Sequence, residues 1–447
     1  MTEFQTLINT IKSAHPYNTT VSKDVEFYDE GQHEILRRPD KIITTYERVI
    51  EDGVEKSRKS GTKPIETAKI PFGFEVKIVE TAVAFLFGES VGIDSDEDDP
   101  RPITTKVLEA WSKARMDYHN KELARRIKIE GRAGELLIVD PSDPDKIRIQ
   151  LLCKKTGFDI YPWFDGIGDL KYILIEYQDL DEDGSKRKIQ KLYSKSKITT
   201  IIDGIESEDG TAINKLGKIP IVYYDQGKCE WERVKTNINK YEMRASRHSD
   251  TTDYLGAPAI KTKGTIGRMP DKETDVRLYQ VKPDITGDRA SYGDVDYMTF
   301  PDLPESVKID MDRNYDAIFK MTFTPDISFD NVKGIGNISG KALRFLFLDA
   351  IIKAKNAEEI YGPGISRRLN LIANLLGYKK APNFKVTFRS ILPEFMDEVI
   401  ENLSVAIGGK QMLSTESAVR MNPFVKNPED EVEKIKQEVA TDNAGAM

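Results

Sequence analysis

Two stretches of helical period, similar in length, bracket a compact insert rich in turns and short strands, and this arrangement constrains the fold most. In the first stretch Trp231, Val234, Ile238, Tyr241 and Ala245 recur at three- and four-residue spacing, so they share one helix face. In the second, Val307, Met311, Tyr315, Ile318 and Thr322 do much the same. The insert, Tyr254 to Phe300, is rich in Gly, Pro and Asp and carries short apolar runs such as Arg277-Leu-Tyr-Gln-Val281. Rods of about 20 residues are roughly 30 Å long. They would hold the insert away from the body, toward another subunit or a partner. Their apolar stripes are expected to face neighbouring subunits.

A chain of 447 residues has room for several domains, each with a real core. Its formal charge of −8 argues against a tight, static nucleic-acid binder, although nucleic acid could still move past such a surface. Two cysteines, Cys153 and Cys229, cannot form a disulfide framework, which points to a reducing compartment. The N-terminal segment lacks the apolar core of a signal peptide, and Thr81-Ala-Val-Ala-Phe-Leu-Phe87 is too short to span a bilayer. Synthesis in the cytosol and no membrane partner are expected.

Before the rods, Met1 to about Lys63 is polar, with helix-like stretches around Phe4–Ala14 and Asp24–Glu34. Ile70 to Gly88 reads as a helix buried on most sides and closed by its glycine, followed by one helix from Thr105 to Arg132. The period then changes to two. Leu136–Val139, Ile147–Leu152, Tyr172–Tyr177 and Ile198–Ile202 are strand-like, in a mostly antiparallel sheet backed by helices. After the rods come a loop, Thr324–Ser339, and a helix from Gly340 to about Tyr361. Gly362-Pro363-Gly364 is expected to interrupt or kink it before it resumes through Leu376. Asn427-Pro-Glu-Asp430 is a helix start. The residues from Asp442 are expected to be disordered.

Several chemical signatures fail on inspection. Gly334-Ile-Gly-Asn-Ile-Ser-Gly-Lys341 has Ile335 where a phosphate loop needs its first Gly, and Ala342 where it needs a hydroxyl for magnesium. Asp179-Leu-Asp-Glu-Asp-Gly184 begins like a calcium loop but has Gln190 in place of the bidentate Glu, so it reads as a hairpin turn. Asp94-Ser-Asp-Glu-Asp-Asp99 lacks the central Gly and reads as a solvated acidic loop. His15, His33, His119 and His248 show no metal-type spacing. No catalytic residues, metal or cofactor are predicted. The rods carry Lys235, Lys240, Arg244, Arg247, Lys308, Arg313 and Lys320 among carboxylates such as Glu242, Asp250, Asp310 and Asp312. These read either as solvated helix faces with i,i+4 pairing or as a surface touching a phosphate backbone weakly.

Four ordered stretches resemble the portal proteins of tailed bacteriophages, in the family typified by siphophages of Gram-positive hosts. They are Phe74–Ile93, with its Leu-Phe-Gly-Glu-Ser-Val turn, and Asp117–Leu136, a helix running into Gly-Arg-Ala. The third is Gly336-Asn-Ile-Ser-Gly-Lys-Ala-Leu-Arg-Phe-Leu-Phe347, and the fourth runs from Leu413 through Asn422-Pro-Phe-Val425 to Glu438. The resemblance implies an α+β portal-like subunit with a mixed helix and antiparallel-sheet wing, a two-helix stem, a small α/β clip and a short helical crown. Such subunits form a homo-oligomeric ring, usually of twelve, at one capsid vertex of the virion, assembled in the host bacterial cytoplasm.

In that picture residues 1–229 begin the wing, 230–253 and 302–323 are the stem helices, and 254–301 is the clip. Residues 324–339 are the tunnel loop, 340–413 complete the wing, and 414–447 form the crown and tail, whose shortness puts crown contacts to DNA in doubt. The resemblance also implies double-stranded DNA passing the loop near Asp330, Asn331, Lys333 and Asn337 and near the stem cations. The terminase large subunit and then a head-completion adaptor would dock on the clip, with major capsid and scaffold proteins around the ring. The rival readings are another oligomeric capsid or head–tail connector component, and a nucleotide-dependent nucleic-acid enzyme.

Overall fold

The computed structural model describes residues 3–14, 19–51, 54–95, 102–181, 183–256, 305–326, 345–379, 381–389, 403–407, 412–422, 425 and 431–437. Between residues 257 and 304 it describes six short strands, 259–263, 265–268, 280–282, 284–286, 289–291 and 294–298. The expected helix start at Asn427, the tail from Asp442 and the failed phosphate loop lie outside the described residues.

The chain opens with α1 (Glu3–Ala14) and α2 (Thr19–Asp29). The first helix is where the pattern placed it, whereas the second lies several residues earlier than expected. A short 3-10 turn, Glu34–Arg37, leads into β1 (Lys41–Glu51) and β2 (Val54–Ile65). These two strands form an antiparallel hairpin whose register closes with Glu51 opposite Val54. No hairpin was expected in this polar region. Asp52-Gly53 is the missed signal, since Asp-Gly between two strands favours a two-residue turn.

Helix α3 (Phe74–Phe87) buries Ile78, Val79, Val83 and Leu86. Gly88 closes it as expected, with right-handed angles, φ −58° and ψ −42°. After β3 (Gly92–Ser95), the single helix expected over Thr105–Arg132 is two: α4 (Pro102–Lys113) and α5 (Met116–Glu130). The cause is a one-residue slip of apolar phase. A continuous helix would carry Arg115 onto the face of Val107 and Trp111. Breaking at Arg115, which takes φ 52°, leaves it exposed and turns Met116 into the core.

Gly131 closes α5 with φ +77°, and a Cβ there would come within 2.9 Å of the Lys228 backbone nitrogen. Only glycine fits both demands.

The β region comprises β4 (Arg132–Asp140), β5 (Asp143–Leu152), β6 (Asp159–Phe164), β7 (Leu170–Leu180), β8 (Lys186–Tyr193), β9 (Lys197–Ile202), β10 (Ile205–Ile213) and β11 (Ile221–Asp225). It is two antiparallel sheets, ordered β10-β9-β8-β7-β6 and β11-β4-β5. The Asp179–Gly184 turn joins β7 to β8 as expected, with Leu180 opposite Lys186. Successive residues of β7 serve opposite faces. Ile173 and Ile175 pack with Leu152 and Ile221 of the smaller sheet, and Leu174 packs with Ile8 and Ile11 of α1. Burial on both faces explains why this strand reads as a near-continuous apolar run.

The two rods exist as α6 (Lys235–Gly256), preceded by a 3-10 turn at Glu232–Val234, and α7 (Glu305–Met321). Between them lie β12 (Ala259–Lys263), β13 (Thr265–Arg268), β14 (Gln280–Lys282), β15 (Asp284–Thr286), β16 (Arg289–Ser291) and β17 (Asp294–Met298), paired as three two-stranded ribbons.

Helix α8 (Leu348–Leu375) is continuous through Gly362-Pro363-Gly364, so the expected interruption is absent. Pro363 removes a backbone donor. Tyr361, Ile365, Arg368, Leu369 and Ile372 are nonetheless all fully buried around it, and that packing holds the helix together. Gly364 has a packing role: a Cβ there would sit 2.0 Å from the Tyr224 ring. Strand β18 (Phe384–Thr387) pairs with β3, and α9 (Thr415–Met421) begins at Ser414, whose hydroxyl accepts the Ser417 N–H. Among the described residues no helix is long and apolar enough to cross a membrane.

Candidate functional site

The helix pair α6/α7 runs antiparallel, with Asn237 beside Asn314 and Arg244 paired to Asp310. Its apolar stripes do not form the free subunit-facing surface that the sequence suggests. Trp231, Val234, Ile238, Ile318 and Phe319 are buried in the main core of the same chain. Phe74 holds this root together, with ring centroids 5.3 Å from Tyr241, 5.9 Å from Tyr315 and 5.9 Å from Phe319. Edge-on aromatic contacts of this kind add to the burial itself. The helices are therefore stiffly anchored at one end while their other end carries the insert.

The cations predicted for these helices divide by depth. Lys235, at the root, lies 2.6 Å from both Asp24 and Glu232. Asp24, Glu232 and Cys229 bring potential metal-ligand atoms together, but the Lys235 ammonium already supplies the cation there. Lys320 pairs with Asp316 at 2.7 Å. Lys240, Arg247, Lys308 and Arg313 are exposed, with no ion pair among the described residues. Arg244 and Arg247 line the α6 side of a distal cleft of about 630 Å³, and Ser306, Val307 and Asp310 line its α7 side. Asp330, Asn331, Lys333 and Asn337 lie outside the described residues.

Three buried polar clusters escaped the sequence reading. At the first, Glu230 sits between Lys128 (3.1 Å) and Lys353 (2.8 Å). Burial would raise the Glu230 carboxyl, but the two ammonium groups outweigh it and hold the pKa at about 2. Lys353 also donates to the Thr322 carbonyl at 2.7 Å, which joins the C-terminal end of α7 to the early turns of α8.

At the second cluster, Arg368 is fully buried and donates from Nε to Glu135 Oε2 at 2.9 Å. It also donates to Asn120 Oδ1 and Tyr224 Oη. His119 Nε2 lies 2.8 Å from Glu135 Oε1, and Tyr224 donates to Glu135 at 3.0 Å. Burial pushes the Glu135 carboxyl upward, yet Arg368 and His119 hold it below the usual carboxylate range.

At the third, His33 Nδ1 lies 2.6 Å from Glu242 Oε1 and its Nε2 lies 3.5 Å from Glu75 Oε1. Burial disfavours the imidazolium, but these two carboxylates outweigh it and raise the His33 pKa to about 9.

The Glu230 cluster lines an open cleft of about 380 Å³ together with Gln226, Thr322 and Ile352. The thiols of Cys153 and Cys229 are buried, and burial pushes the Cys153 thiol up to about 12. What the three clusters do is tie the long helices to the body through buried ion pairs.

The described residues thus form a body with three buried charge clusters and an antiparallel helix pair rooted in its core. The family described as "Phage portal protein, SPP1 Gp6-like" matches residues 23–444, and the chain belongs to it. The "Portal protein" of Bacillus phage SPP1 is 24% identical over 232 residues, which is 50% of this chain and 45% of that relative. The chain thus aligns with about half the length of that curated relative.

Among solved structures, the "Neck of empty GTA particle computed with C6 symmetry" covers 78% of this chain and 88% of its own, at 13% identity and a TM-score of 0.45. The "Virion of native gene transfer agent (GTA) particle" gives 12% identity and a TM-score of 0.41, covering 77% and 87%. At those scores the likeness is coarse.

Proposed function

We propose that this chain is the repeating subunit of a portal ring at one vertex of a phage capsid. Double-stranded DNA passes through the ring during packaging and ejection, and a separate terminase ATPase supplies the work. In this reading α6 and α7 are the stem, residues 254–301 are the clip, the sheets and helices around them are the wing, and residues from 414 form a short crown. Residues 324–339 form the loop nearest the DNA, with the terminase large subunit and later an adaptor docking at the clip. The ring has twelve copies in the virion, surrounded by the major capsid and scaffold proteins.

The observation that carries this reading is the anchorage of the α6/α7 pair, because a stem must bear load along its length without bending at its root. Trp231 and Ile318 in the core, with Lys353 bridging Glu230 and the end of α7, give it that stiffness. Exposed, weakly paired cations such as Lys240 and Arg313 suit transient phosphate contacts better than tight binding. Immunogold labelling of particles with antibody to this chain tests the assignment. The expected result is one labelled vertex per particle; label spread over the shell would overturn it.

A further inference from the structure

The β1–β2 hairpin stands apart from the rest of the molecule. Among the described residues it is a sheet of two strands, with no third strand beside it. Ile42 and Ile43 are successive and so point to opposite faces, and they are 74% and 40% exposed. Neither face of the ribbon is therefore covered by its own chain at that point. Along β2, every residue from Arg58 to Ile65 except Gly61 is exposed.

A lone two-stranded hairpin is marginal in water and gains stability from a further strand or a packed surface. Its base, by contrast, is fixed. Arg38 pairs with Asp250 at 2.6 Å, the Ala68 N–H donates to Asp250 at 2.7 Å, and Asn239 donates to Glu34 at 2.7 Å. The hairpin thus springs from the flank of α6, between Asn239 and Asp250.

We infer that this hairpin is an assembly arm that lies on a second copy of this chain in the ring, an inference that rests on the portal reading above. Two observations choose that occupant. The first is charge: the hairpin sequence carries Lys41, Arg48, Lys56, Arg58, Lys59 and Lys63 against Glu47, Glu51, Asp52 and Glu55, with the basic excess on β2, on a chain whose formal charge is −8. A basic arm on an acidic body is complementary to another such body. The second is reach. Twelve residues of strand extend about 40 Å, whereas two packed helices are about 20 Å across. An arm rooted on α6 is long enough to cross the equivalent helix pair of a neighbour. Its exposed isoleucines, Ile42, Ile43 and Ile65, supply the apolar contact that the charges orient.

The test places a photo-cross-linking amino acid at Ile42 of the full-length chain and irradiates the assembled ring. The arm predicts covalent ladders of two or more chains, which disappear when the rings are dissociated before irradiation. A Lys59→Glu/Lys63→Glu variant should lower the inter-chain yield by about fivefold, and added salt should act in the same direction. Intact rings that give only single chains, or that cross-link only to nucleic acid or to a shell protein in particles, overturn the arm and leave the portal reading standing. Failure of the unsubstituted chain to form rings would instead remove the portal reading.

Discussion

Two of the buried charge clusters do the same mechanical job with different chemistry. Arg368 on α8 joins Glu135 of β4 to Asn120 of α5, whereas His33 joins Glu242 of α6 to Glu75 of α3. The guanidinium keeps its charge at every accessible pH and satisfies several acceptors at once. The imidazole must stay protonated to serve two carboxylates, and one oxygen on each of Glu75 and Glu242 has no hydrogen-bond partner. The α8 junction is thus built to be permanent. The α6 clamp is conditional on a proton.

The largest expected effect on this contrast comes from Arg368→Ala. It strands the fully buried Glu135 carboxylate, and breaking a buried pair from one side costs about 3–5 kcal/mol. Denaturant unfolding should show this as a large fall in midpoint; a change within about 1 kcal/mol would mean the junction is not the keystone described.

The pH dependence sharpens the comparison further. The folded pKa of His33, about 9, lies above its unfolded value near 6.5. Its stabilisation is therefore complete below pH 6.5 and is lost as pH rises through 9. Glu135 is depressed, so its contribution is present above the ordinary carboxylate pKa and is lost as pH falls through its folded value. In His33→Gln, which should itself cost about 1–3 kcal/mol, the alkaline slope of stability between pH 6.5 and 9 should flatten while the acid slope remains. Equal slopes in variant and parent would show that the clamp is not proton-dependent. The smallest effect is expected at Lys320→Ala, whose exposed pair with Asp316 contributes about 0–1 kcal/mol.

The sequence made the rods legible because their burial is periodic and local: Trp231, Val234 and Ile238 announce one face within eight residues. Their destination was not legible. The same stripe serves a subunit contact or an intrachain core, and only the fold shows Ile318 and Phe319 meeting Phe74. The slip between α4 and α5 was visible in principle, because Met116 is five residues from Trp111 and out of phase with it. The β1–β2 hairpin carried the same Asp-Gly signal that located the β7–β8 turn, but its polar strands have no buried face to mark them.

The charge clusters could not be read at all. Arg368 and Glu135 are 233 positions apart, and nothing local distinguishes either from a surface charge. Gly364 had a signal, but it pointed to a break where the fold uses close approach to Tyr224.

The portal proposal requires rooted helix pairs from many copies to close around a hollow axis. Electron microscopy of the purified chain at micromolar concentration, with native mass measurement on the same sample, checks this. Closed rings of uniform copy number, with a central opening wide enough for duplex DNA, are expected. Single chains at every concentration and also within isolated particles would contradict it.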